Sequence, residues 1–118
     1  NKILEVEIKI SQEYGNFNLF GLFERDDIKD RYDVVISLDL KGKNKNEIFK
    51  KIQDEFKKTL TNEQLMKFSR FVYLEPEHPF VLNLNMVSNI QHAQIEIKNS
   101  TFNQVKISHA FILSSIKK

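Results

Sequence analysis

Phe17-Asn18-Leu19-Phe20-Gly21-Leu22-Phe23-Glu24 and Asp33-Val34-Val35-Ile36-Ser37-Leu38-Asp39-Leu40 flank the polar segment Asp26-Asp27-Ile28-Lys29-Asp30-Arg31. Aromatic and β-branched residues dominate both flanks and suit a pleated, buried surface. The segment between them is polar and short enough to be an ordinary loop. The pattern predicts two strands, 17–24 and 33–40, paired as an antiparallel hairpin. The first is apolar on both faces, so both sides of the sheet should be covered there or nearly so. Strands that come in adjacent pairs argue against a purely parallel, doubly wound sheet.

Upstream, residues 3–14 fit two periods. Leu4, Val6, Ile8 and Ile10 alternate with Glu5, Glu7 and Lys9, as in a strand. Ile3, Val6, Ile10 and Tyr14 also lie on one helical stripe. Gly15 follows where a helix end takes a positive φ, and the length favours a helix. Downstream, Ile48, Phe49, Ile52, Phe56 and Leu60 form a helical stripe over residues 45–59. Asn44 and Glu47 have capping-box spacing, and Lys57 and Lys58 complement the C-terminal dipole. Thr61 and Gln64 repeat the capping spacing ahead of a short helix near 62–68. Residues 69–74 read as a strand. Pro79 suits the first turn of a helix carrying Phe80, Val81, Leu84 and Val87. Residues 94–98 and 104–115 read as strands joined by a turn at Asn99-Ser100-Thr101. In the last strand Val105, Ile107, His109, Phe111 and Leu113 are expected to share a face.

The expected architecture is therefore α+β, in the order α-β-β-α-β-α-β-β. One layer of helix packs on a small mixed or antiparallel sheet of about five strands. Phe56, Ile52, Leu19, Val35, Ile36 and Phe71 are the expected core. A chain of 118 residues has room for a single domain spanning 1–118. Ten Phe and a hydrophobic fraction of 41% can fill its core. The stretch from Phe17 to Leu38 resembles stretches of small bacterial proteins, a likeness that brings no function with it.

Composition narrows the function classes. There is no Cys, which excludes disulfide frameworks, zinc ribbons and thiol catalysis. No apolar run approaches the roughly 20 residues of a membrane span. The chain opens with charged residues rather than a signal-peptide pattern, so a cytoplasmic location and no membrane partner are expected. Net charge is +2 but unevenly spread. Residues 1–40 hold nine acidic and five basic side chains, and residues 41–70 hold four and nine. This polarity reads first as two solvated faces, and beyond that as head-to-tail self-association or a nucleic-acid surface.

Three constellations offer chemistry. Asp39-Leu40-Lys41 is a D-x-K at a strand end. It resembles the pattern of metal-dependent nucleases of the PD-(D/E)xK type, whose carboxylates hold Mg²⁺ while a Lys assists the attacking water. Asp33 would lie about 20 Å from Asp39 along the same strand, so the second carboxylate would have to come from Glu7 or Glu13. The catalytic candidates are thus Asp39, Lys41 and Glu7. Second, His78, His92 and His109 have no metal-ligand spacing. His78 reads as a turn or helix cap, and His92 as a loop residue. His109 interrupts an apolar strand, as a core residue with one partner or as a binding residue for a small molecule. Third, Lys50, Lys57 and Arg70 belong to a basic region that would meet phosphates, although no surface aromatics are evident to stack bases. Arg70 alternatively pairs with a carboxylate. No metal site and no cofactor are expected. The leading expectation is a non-enzymatic interaction or accessory domain that forms a homo-oligomer or meets a protein partner. The alternative is a metal-dependent nucleic-acid-processing enzyme or a nucleic-acid binder.

Overall fold

The structure, a computed structural model, describes residues 2–102 and 104–117. Its elements are α1 (Lys2–Tyr14), β1 (Leu19–Glu24), β2 (Tyr32–Ser37), α2 (Lys45–Thr59), α3 (Asn62–Leu65), β3 (Phe68–Tyr73), α4 (Pro79–Val87), β4 (Ile95–Phe102) and β5 (Val105–Ser115). The order matches the expected one, with α3 as the extra short helix. None of the described helices is long and apolar enough to cross a membrane.

The five strands form one sheet in the order β3-β2-β1-β5-β4. β1 pairs antiparallel with β2, as the hairpin signal predicts, and antiparallel with β5. β2 and β3 are parallel because α2 and α3 form the crossover between them. From β3, at one edge, the chain passes through α4 to β4 at the other.

Local chemistry sets the helix ends. Gly15 takes φ +105 directly after α1, and its N–H donates to the Ser11 carbonyl, closing the helix. Asn44 caps α2 by accepting the Asn46 N–H at 2.8 Å. Glu47 does not complete that capping box; its carboxylate accepts the Tyr14 hydroxyl at 3.0 Å and ties α2 to α1. Thr61 and Gln64 do form a reciprocal box at α3. His78 caps α4 by accepting the Phe80 N–H, with Pro79 at the first helical position.

The helices occupy both faces of the sheet, which corrects the single-layer expectation. Val6, Ile10, Ile48, Ile52 and Phe56 from α1 and α2 pack with Phe20, Leu22, Val34 and Ile36. Phe80, Val81 and Leu84 from α4 pack with Leu19, Val35, Ala110 and Ile112 on the other face. The reason lies in β1 and β2: alternate residues point to opposite faces and both sets are apolar. Leu19 and Val35 are therefore buried as expected, but against α4 rather than α2. Phe71 is half-buried beside Phe56, their ring centroids 5.7 Å apart.

Two C-terminal expectations are corrected. The turn is not at Asn99-Ser100-Thr101, because β4 continues through these residues to Phe102. Asn99 instead has φ +48, and the pairing passes from Lys98↔His109 to Ser100↔Ile107 across it. The anticipated common face of β5 is broken as well: Ile107 joins the α4-side cluster, whereas Phe111 and Leu113 pack on the α1–α2 side. In the sheet, β5 is an inner strand. It lies between β1 and β4, so both of its hydrogen-bonding edges are paired.

Candidate functional site

Asp39 and Lys41 lie beyond the end of β2, which stops at Ser37, and not on a strand. The two do not project side by side as the D-x-K reading requires. The Asp39 carboxylate accepts the Lys41 backbone N–H at 3.0 Å, closing its own turn, and Lys41 has φ +51. The Lys41 ammonium reaches Gly15, 3.4 Å from where a Cβ would stand, at the negative end of the α1 dipole. Glu7 is engaged elsewhere. Glu13 lies 3.7 Å from Lys51. Among the described residues no group of three His, Asp or Glu side chains is placed to hold a metal ion.

Glu7 is fully buried on the inner face of α1. The His92 ring donates from Nδ1 to its carboxylate at 2.8 Å, and Ser114 Oγ donates at 3.2 Å. The chain explains this placement. Ile90 bridges Ser115, and the Ala93 N–H donates to the Leu113 carbonyl. Gln91 and His92 therefore bulge out opposite Ser114, and His92 takes φ +53, a left-handed conformation that His tolerates better than most residues. Burial raises the Glu7 carboxyl above its ordinary value; the bonds and charge from His92 and the bond from Ser114 offset that only in part. A carboxylate that holds Nδ1–H fixes the imidazole tautomer and leaves Nε2 as the basic nitrogen, here 3.3 Å from the Gln91 amide. This pair was legible in part: Glu7 follows Ile3 by four and precedes Ile10 by three, so a carboxylate sits on the apolar stripe and requires a buried donor.

His109 has two partners rather than one. Its Nε2 donates to the Glu96 carboxylate, so Nδ1 is free to accept the Tyr32 hydroxyl at 2.9 Å. The bond to His109 holds the Glu96 carboxyl below the usual range. Burial, followed by the charges of Glu24, Asp30 and Glu96, raises the Tyr32 phenol. Phe111 stacks edge-on to the imidazole at 4.7 Å. The signal in the sequence was His109 itself; Tyr32 and Glu96 are brought to it only by sheet pairing.

Arg70 and Asp33 form a bidentate pair at 3.2 and 2.6 Å across the parallel β2–β3 ladder. The basic face of α2 is laced with carboxylates. Lys50 pairs with Asp54, Lys51 with Glu13, and Lys58 and Lys9 both with Glu55. Lys57 is exposed.

On the α4 side a groove of about 680 Å³ opens over the sheet. Phe23, Val35, Val72, Leu74, Phe80 and Ile107 form its apolar surface, and Arg25, Asp27, Asp33, Arg70 and Lys106 stand among its charges. Gly21 shapes it: a Cβ there would come within 2.6 Å of the Phe23 ring, which folds back over β1 towards Phe80. Along α4, Leu82, Met86 and Val87 are exposed, Met86 by 80%. Comparison of the chain with protein-family models, with curated proteins and with solved structures finds no match.

Proposed function

We propose that this chain is a non-enzymatic interaction or accessory domain, and that its α4 side mediates self-association. The observation carrying this reading is the unequal coverage of the sheet. Two helices of 13 and 15 residues lie on one face, and a single nine-residue helix lies on the other. The remainder of that second face is the groove, with Phe23, Val72 and Leu74 only half-buried in it. Apolar surface of this kind beside a charged rim is characteristic of a protein contact. The rim carries both signs, Arg25, Arg70 and Lys106 with Glu24, Asp26, Asp27 and Asp33, so in a two-fold pair each copy presents basic groups to the acidic groups of the other. The groove and the exposed Leu82, Met86 and Val87 of α4 together give each copy apolar surface to bury against the other.

The nuclease alternative has less behind it, since Asp39 and Lys41 are absorbed by a turn and a helix end. Nucleic-acid binding is weakened by the acidic partners along α2. Sedimentation of the purified chain from about 10 to 300 µM tests the proposal, a range in which weak dimers dissociate and reassociate. The expected result is a concentration-dependent dimer that Val72→Glu, on the edge strand, turns into a folded monomer. A strict monomer throughout that range refutes self-association.

A further inference from the structure

The opposite face of the sheet carries a second, smaller concavity of about 340 Å³, the size of a small-molecule site. Its walls are Ile3 from α1, Leu22 from β1, Phe68 from β3 and Phe111 from β5. All four belong to the α1–α2 side of the core, away from the groove. Two aromatic walls favour a flat ring in the ligand.

Tyr32 forms a further wall, and its position is fixed. The phenol is bonded to His109, and His109 to Glu96, so the ring cannot swing into the space it borders. The Tyr32 N–H also donates to the Lys67 carbonyl at 2.7 Å, which pins the backbone of Lys67 beside the opening. A wall held in place before the ligand arrives lowers the ordering cost of binding.

Charge sets the ligand's sign. Lys67 lines the pocket, and none of the lining residues is acidic. The Lys67 ammonium has no carboxylate within ion-pair distance among the described residues. Lys50, Lys51 and Lys58 of α2 each have an acidic partner, and Lys67 has none among the described residues. Gln94, two residues after His92, adds a neutral amide to the lining.

We propose that this pocket binds a small aromatic carboxylate, with its ring between Phe68 and Phe111 and its anionic group at Lys67. The site is independent of the association surface, which lies across the sheet.

Amide NMR shifts of the isotope-labelled protein would be followed during titration with 1-naphthoate and, separately, with the neutral 1-naphthalenemethanol. Naphthoate is expected to bind below about 1 mM, shifting Leu22, Tyr32, Lys67, Phe68 and Phe111. The alcohol should bind about threefold more weakly, the scale of one exposed ion pair. Lys67→Gln, an exposed substitution that leaves the fold intact, should remove that difference. Ile3→Trp, checked by circular dichroism, should fill the pocket and abolish binding of both. Equal affinity for the two probes, naphthoate binding unchanged in Lys67→Gln, shifts confined to the α4 face, or no shift at all would each overturn the proposal.

Discussion

His92→Ala should leave the buried Glu7 carboxylate with Ser114 as its remaining donor, and the resulting instability should depend on pH in a calculable way. An unpaired buried carboxylate either stays ionised at high cost or takes up a proton. Protonation caps the loss. With an ordinary glutamate value of about 4.3 and about 1.36 kcal/mol per pH unit, the ceiling is about 3.7 kcal/mol at pH 7 and about 1 kcal/mol at pH 5. The sign follows from Glu7 being raised in the folded state. A raised acid contributes its full stability when protonated, below its unfolded value, and that contribution is lost as pH rises through the folded value. The reference for the measurement is Glu7→Gln/His92→Ala, because neither chain then carries His92 and its own titration cancels. Urea unfolding followed by circular dichroism at pH 5, 6, 7 and 8 gives the difference directly. The single variant should fall progressively below the double variant as pH rises. A difference that stays constant between pH 5 and pH 8 refutes the idea that His92 serves the Glu7 charge.

Other expectations concern the core, β1 and the turn after β2. Phe56→Ala should cost about 3–5 kcal/mol, because the buried ring contacts Phe68 and Phe71 at 5.3 and 5.7 Å and leaves a cavity; a loss below about 1 kcal/mol in urea unfolding would contradict its burial. Gly21→Ala should destabilise by about 1–3 kcal/mol, since its Cβ would drive the Phe23 ring off β1; thermal melts unchanged from the parent would show that the ring moves freely. The parent and Asp39→Ala should both leave plasmid and single-stranded RNA intact with Mg²⁺ or Mn²⁺, because Asp39 closes its own turn; cleavage by the parent alone would restore the nuclease reading.

Much of the fold follows from the sequence because its signals are local. The α2 boundaries at 45 and 59 rest on an apolar stripe and an Asn44 cap that need no distant partner. The same holds for the Thr61 box, for Pro79 and for the hairpin of β1 and β2. Residues 3–14, ambiguous in period, resolve as α1 because their stripe finds α2 and the sheet to pack on. Ends are less legible. β2 stops at Ser37, short of Leu40, and that difference alone takes Asp39 off the strand.

What tertiary structure alone decides is which distant residues meet. The sequence contains Glu7, His92 and Ser114, but their contact depends on β5 lying beside β1 and on the bulge opposite Ser114 that turns His92 inward. Tyr32, His109 and Glu96 meet only because β4 pairs with β5 and β5 lies beside β1. The assignment of particular helices to each face also lies outside the sequence pattern. Period-2 alternation in β1 and β2 records that both faces are buried, yet it carries no information on which helix covers which face. That choice is made by the long passage from β3 to β4, which sends α4 to the face that α1 and α2 leave open.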